Sequence, residues 1–320
     1  MNEDLKQKYK ELMFSKEPEN IDTLEGLKLK FANLPILYKY QKIDEYSLAN
    51  LENNTAWFSN ASKFNDPYDS ALTIKNVETY LNGIDEDFIN KLSKIFNVHV
   101  IEIETLLETN GIKKTYEYLL RNHPIHNKEP EAIQKIIDNL SERIDVENEK
   151  YVSQISNFYQ NHIYATCFSE DPTSMLMWSH YGANHEGMVL EYNFNQLDLK
   201  VHGDILSHLH PIIYTDELLN IDDYKSVREL IPVFSLAAIN KSNEWSYEKE
   251  WRVLLYDSLE KKGQVSRLIK PSSIILGARV SKVHKIMLAI EGKKRGIPVK
   301  QIKLDKFKYH LSITEVGDFE

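Results

Sequence analysis

Apolar residues along the chain follow two kinds of spacing. Over residues 4–14 and 20–32 they recur every three to four positions, as on an amphipathic helix. Pro35 then introduces ILYKY, a short strand-like run, and DEYSLANLENN returns to helical spacing. TAWFSNASKFNDPYDS reads as a strand and a turn-rich loop, because Asn60, Asn65, Asp66, Pro67 and Asp69 favour turns. Residues 75–160 have a different texture: successive helices rich in Glu, Lys, Asn and Ile, interrupted at Asn110-Gly111 and His123-Pro124. From Ile163 the strand patterns return. IYATCFS is strand-like, DPTSMLMWSHYGANHEG is a helix with its exit, and MVLEYNF is a further strand. Asp171, Pro172, Thr173 and Ser174 supply the helix start, and Gly187 permits a turn. HPIIYT follows as a strand, 221–239 as helix broken at Pro232, 243–256 as a strand, and PSSIILGARV as a strand and turn. A helix at 281–295 and strands at 297–303 and 307–315 finish the pattern.

Strands and helices intermix without regular βαβ spacing, and neither GxGxxG nor a Walker loop is present. The pattern predicts an α+β fold with helices on a mixed or mostly antiparallel sheet. Residues 1–34 form N-terminal helices, 35–74 and 161–320 the core domain, and 75–160 a helical insertion. With 320 residues, 42% apolar and 11% aromatic, the chain has ample material for a core. The longest apolar runs, such as IPVFSLAAI, fall short of the roughly 20 residues of a membrane span. The charged start MNEDLKQKYKELMF lacks a secretory h-region, so a cytoplasmic protein with no membrane partner is expected. Cys167 is the one cysteine, which agrees with a reducing compartment and rules out an internal disulfide. A net charge of −9 argues against an extended surface for non-specific duplex DNA, and KKR at 293–295 reads as a solvated helix end.

The segment NEWSYEKEWRVLLY, residues 243–256, raises the chemical question. As a strand it turns Trp245, Tyr247, Lys249, Trp251, Val253 and Leu255 to one face and Glu248, Glu250 and Arg252 to the other. Carboxylates two apart on one face lie about 6–7 Å apart and repel unless a cation or polar ligand compensates them. Arg252 is one such cation. The row fits either a solvated ion-pair ladder or the floor of a cleft.

Two other patches bear on that choice. In CFSEDPTSMLMWSHYGANHEG, His180 and His185 flank Tyr181 near a helix exit, close to Phe168, Ser169 and Trp178. This helix end suits either a stacking wall for a ring or plain core. Five residues separate the histidines, so they do not share a helical face, and no metal site is expected. Cys167 as a nucleophile would draw on His180 or His185 as base, although a buried strand thiol is the commoner state. In the third patch Lys39 and Tyr40 sit on a short strand, while Ser59 and Asn60 offer a hydroxyl and an amide at a strand end. A snorkelling lysine and an Asn-stabilised turn explain these equally well.

In order, YKY, FSN…FNDPYD, CFSED…MLMWSHYGANHEGM, NEWSYEKEWR and IILGAR resemble the bacterial domain-of-unknown-function 2971 family, over about residues 36–280. That family carries no assigned activity. The same segments also show a looser similarity to the ADP-ribosyltransferase superfamily. There, Lys39 or Tyr40 matches a first-strand residue, Phe168-Ser169 or Phe58-Ser59 a second motif, and Glu248-Lys249-Glu250 a late Glu-x-Glu. The first position lacks the usual Arg or His. This similarity implies an ADP-ribosyltransferase-like fold and NAD consumption. Glu250 would stabilise the oxocarbenium-like state and Glu248 would orient or deprotonate an unknown macromolecular acceptor. Arg252 or Lys39 would meet the pyrophosphate, and Trp178, His180 or Tyr181 would pack on nicotinamide, with Tyr40, Ser59, Phe168, Ser169 and His185 lining the site. An effector role in phage defence or a toxin-type system follows from the company such domains keep. Two rival expectations are a non-enzymatic ligand- or protein-binding module and a metal-dependent nuclease or hydrolase using Glu248, Glu250 and a histidine.

Overall fold

A computed structural model describes residues 1–73, 86–124, 130–221, 223–224, 232–256 and 263–316. Ten of its strands join in one sheet. In chain order they are β1 (Leu37–Gln41), β2 (Thr55–Asn60), β3 (Ile163–Ser169), β4 (Met188–Tyr192) and β5 (Leu209–Pro211). Then come β6 (Glu250–Tyr256), β7 (Gly263–Arg267), β8 (Ser273–Leu276), β9 (Val299–Leu304) and β10 (Leu311–Glu315). The order across the sheet is β7-β2-β3-β1-β4-β8-β9-β10, with β6 paired to β3 and to β5. All these pairings are antiparallel except β8 with β9. Those two strands are joined by the helix Lys282–Arg295, the crossover that parallel neighbours require. Its sequence supplies both ends: the Ser281 side chain accepts from His284 N–H, and Gly296 closes the helix at φ 62°. The protein is therefore a mixed α+β fold with a largely antiparallel sheet and flanking helices.

The sheet is apolar on both faces. One face carries Phe58, Tyr164, Phe168, Leu190, Trp251, Val253 and Ile274 in the larger core. The other packs Tyr40, Val189 and Ile275 against Met177 and Trp178 of the helix Met175–His180. The N-terminal helices Glu3–Phe14 and Thr23–Ala32 pack on each other. Lys30, fully buried, donates to the carbonyls of Leu206 (2.7 Å) and Leu209 (2.8 Å).

Two compact units are present: Met1–Ala71, Tyr159–Leu219 and Tyr224–Glu320 in the first, Leu72–Phe158 with Asn220–Asp223 in the second. The second has its own core of Leu92, Ile103, Leu107 and Leu119. Within it, the helix Val100–Asn122 breaks at Gly111 (φ 76°) and ends at His123, the positions where the sequence signalled interruptions. No described helix is long and apolar enough to cross a membrane.

The structure departs from the sequence pattern in several places. Residues 243–248 form a 3-10 helix rather than strand, and β6 begins only at Glu250. Trp245 and Tyr247 are consequently half-buried, whereas Trp251 lies in the core as expected. HPIIYT splits after Pro211: β5 pairs with β6, while Ile213–Thr215 pairs in parallel with Asn240–Ser242. Neither β7, with the polar sequence GQVSR, nor the helix Leu199–Ser207, amphipathic but short, is among the elements expected from the sequence. Residues 305–310 form the turn of a hairpin instead of the start of the last strand. Pro232 begins a helix, and the expected helix before it lies mostly outside the described residues.

Candidate functional site

The carboxylates of Glu248 and Glu250 do meet, but through a kink and not through the pleat of a strand. Lys249 between them adopts the left-handed conformation (φ 46°, ψ 50°), which ends the 3-10 helix and starts β6. Its own side chain turns outward to Asp171 at 3.2 Å. Register fixes the rest: Glu250 lies opposite Ser169 and Arg252 opposite Cys167, so these four share one sheet face. The short strand Asn240–Ser242 brings Lys241 to the same place. The loop after β2 brings Asp69, with Asn60 capping its 3-10 turn and Asp66 accepting from Tyr68 N–H.

The product is a buried charge network. Arg252 spends all five guanidinium hydrogens, donating to both oxygens of Asp69, both oxygens of Glu250 and the Ala238 carbonyl. Lys241 Nζ lies 2.5 Å from Glu248, 2.9 Å from Glu250 and 3.8 Å from Asp69. Three carboxylates therefore converge on an ammonium group. Among the described residues no group of three or more His, Cys, Asp or Glu side chains is arranged to hold a metal ion. A divalent ion at these acids would have to displace Lys241.

The two glutamates are driven apart electrostatically. Burial opposes ionisation of Glu250, but Arg252 and Lys241 outweigh it and hold its carboxyl well below the usual range. For Glu248, burial and the adjacent Glu250 charge push the carboxyl up. Lys241 and the Tyr181 hydroxyl pull it back only in part. Glu248 also accepts from the Tyr181 hydroxyl at 2.8 Å, and that hydroxyl accepts from exposed Asn65. From Tyr181 a file of rings runs along the surface through His180 and Tyr247 to Trp245, with centroids 6.1, 6.2 and 6.1 Å apart. Glu248 is thus the carboxylate of the network bonded to this half-exposed aromatic rim, and Lys241 adjoins it as well, its ammonium 5.1 Å from the centre of the Trp245 ring.

Backbone strain gathers around the same residues. Ala183, Asn184 and His185 are successively left-handed (φ 49°, 54° and 69°), and Ser70 beside Asp69 has φ 57°. With Lys249 these are five of the seven non-glycine residues of positive φ among the described residues. Such conformations are costly and tend to collect at functional sites. The turn after Tyr181 is held by close backbone approaches: a Cβ on Gly277 would stand 2.1 Å from the His185 carbonyl oxygen.

The residues singled out from sequence are distributed as follows. Glu248, Glu250, Arg252 and Tyr181 belong to the network, Ser169 supports it by donating to the Glu248 carbonyl, and His180 is on the rim. Trp178 and Tyr40 form an edge-to-face pair beneath, and His185 stacks on Trp178, so Trp178 offers no free face to a nicotinamide. Lys39 and Phe168 are on the opposite sheet face, because Tyr38, not Lys39, lies across from Ser169. There Lys39 donates to Thr166 Oγ1 and covers the Phe168 ring. Lys39 therefore shares no pocket with Glu250, and Arg252 has no hydrogen left for a pyrophosphate. Ser59, on β2 opposite Ala165, shares the sheet face of Arg252, but its hydroxyl accepts from Trp57 Nε1 and, among the described residues, is bonded to no member of the network. Cys167 is no activated nucleophile: burial and Glu250 push its thiol up. Sequence reasoning missed Lys241, Asp69, Asn65 and Tyr214, whose hydroxyl accepts from Glu250 N–H. The signal available for Lys241 was the unbalanced pair of acids just after it.

Residues 177–253 match the model of a family described as "Protein of unknown function (DUF2971)". This is a shorter stretch than the 36–280 expected from the motifs, yet it contains Tyr181, Lys241, Glu248, Glu250 and Arg252. No curated protein and no solved structure matches the chain.

Proposed function

We propose that the chain is an enzyme that cleaves or transfers a glycosidic bond of a nucleotide-like substrate, with Glu248 as its working carboxylate and Glu250 as the charge that tunes it. The observation that carries this reading is the split of the two acids: one locked by Arg252 and Lys241, the other raised and adjoining an aromatic rim. A pair of carboxylates held in different states is what acid–base chemistry at a glycosidic carbon needs. The roles expected from sequence are thereby exchanged. Glu250, held by Arg252 through both oxygens and by Lys241, is the positioning residue, and Glu248, which shares Lys241, is the one of the pair bonded to the rim through Tyr181. In the reaction the bond from C1′ to the leaving nitrogen breaks, its electron pair departs with the base, and Glu248 takes the proton of the incoming hydroxyl as the new C1′–O bond forms. The substrate ring packs on Tyr247, His180 and Trp245, while Tyr181 steadies the Glu248 carboxylate.

NAD is the first compound to test, with nicotinamide release as the readout. The wild-type protein is expected to release nicotinamide, and Glu248→Gln to lose about 100-fold or more of the rate. Release that persists in Glu248→Gln overturns the assignment. The second reading, a ligand-binding module, draws on the complete saturation of Arg252 and Glu250, which leaves a rigid floor under the rim. Binding of NAD by calorimetry without any nicotinamide release selects that module. Absence of both binding and release removes NAD from consideration.

A further inference from the structure

We infer that the hairpin loop joining β9 to β10 is a docking site for single-stranded nucleic acid. Its sequence, Leu304-Asp-Lys-Phe-Lys-Tyr-His310, alternates cations with aromatic rings. Phe307 and Tyr309 are 93% and 95% exposed, more than any other large hydrophobic side chain among the described residues. Two aromatic rings left in water to this extent on one short loop mark a candidate contact surface.

The loop is built, not loose. Asp305 Oδ1 accepts from the backbone N–H of Phe307 (2.7 Å) and Lys308 (2.9 Å), and Asp305 N–H donates to the His310 carbonyl. The one acid of the loop is therefore turned onto its own backbone. Lys303, Lys306 and Lys308 are exposed and make no ion pair among the described residues. At the base, Leu304 lies opposite Leu311 in register, and Leu311 is anchored in the core beside Trp178. A pre-organised tip of this kind gives up little conformational freedom when it binds.

Charge complementarity and ring chemistry select the occupant. The free lysines call for an anionic partner, although the whole chain is acidic at −9. Rings flanked by cations at each step match a chain in which a flat base alternates with a phosphate. Bases must be unstacked to meet Phe307 and Tyr309, which selects a single strand over a duplex. An anionic lipid surface would want contiguous apolar residues at the tip, and here Lys308 separates the two rings.

The test is fluorescence anisotropy of the full chain with labelled single-stranded DNA and RNA dodecamers, a DNA duplex, and cosedimentation with phosphatidylserine vesicles. Wild-type protein is expected to bind the single strands in preference to the duplex, with affinity falling as salt rises. Phe307→Ala/Tyr309→Ala is expected to weaken binding by about tenfold or more. Lys306→Glu/Lys308→Glu is expected to weaken it and to flatten the salt dependence. Because Phe307 and Tyr309 are almost fully exposed and Lys306 and Lys308 are exposed, all variants should melt with the wild type, which is checked alongside. No binding to single strands, equal binding of duplex, or single-strand binding untouched by both double variants overturns the inference. Vesicle capture that depends on Phe307 and Tyr309, without single-strand binding, overturns it in favour of a membrane contact.

Discussion

Glu248 and Glu250 are two positions apart and chemically identical, yet their surroundings assign them different work. Glu250 accepts from Arg252 through both oxygens and from Lys241. Removing its charge leaves two buried cations under-compensated, so Glu250→Gln is expected to lower stability by about 3–5 kcal/mol in urea denaturation. Glu248→Gln keeps one oxygen to accept from Lys241, and its amide N–H can donate to the Tyr181 hydroxyl in place of the bond now accepted from it, so it is expected to cost much less. The pH dependence follows from the raised Glu248 carboxyl. As a proton acceptor it works only when ionised, so the rate falls as the pH drops through its folded-state pKa. That limb should lie above the usual carboxylate range of roughly 4. In whatever activity Glu250→Gln retains, the limb should move to lower pH, because the neighbouring negative charge that raises Glu248 is gone. A pH–rate profile of both proteins reads the shift, and an unmoved limb excludes this coupling.

At the scale of elements, the kink at Lys249 does what a continuous strand was expected to do. Lys249→Gly removes the cost of a side chain at φ 46° and is expected to leave the melting temperature unchanged or raised. Lys249→Val should lower stability by about 1–2 kcal/mol, since a branched side chain tolerates the left-handed region poorly. Equal melting of the two variants would show that residue 249 does not hold this conformation in solution. The N-terminal helices supply a second titration. Burial lowers Lys30 from 10.5 to about 7. Between those values the unfolded chain holds a proton that the folded protein has released, so raising the pH across this window favours folding. Stability measured by denaturant titration should therefore rise from about pH 7 to about pH 10, and Lys30→Met should flatten the rise.

For the whole molecule, the legible parts of the sequence were those governed by local periodicity. The helix Lys282–Arg295 and the strands β1, β3, β4 and β8 stand where the spacing of apolar residues put them. The shared position of Glu248, Glu250 and Arg252 was also legible, although the left-handed Lys249 that produces it was not. What single-sequence patterns lacked was long-range pairing. Asp69 reaches Arg252 across 183 residues of chain, and Lys39 is carried to the far face by a register that only the paired strand defines. Polar segments such as GQVSR become strands because a neighbour offers an edge, and nothing in their own composition records it. The network is thus a property of the assembled sheet, and what distinguishes its two glutamates is electrostatic. The most direct test is a carbon-13 NMR titration of glutamate side-chain carboxyls, with Glu248→Gln and Glu250→Gln used to assign the two signals. One carboxyl titrating above 4.5 and lost in Glu248→Gln, with the Glu250 carboxyl titrating well below, is the expected result. Two ordinary carboxyls, or a raised signal that disappears in Glu250→Gln and persists unshifted in Glu248→Gln, would contradict it.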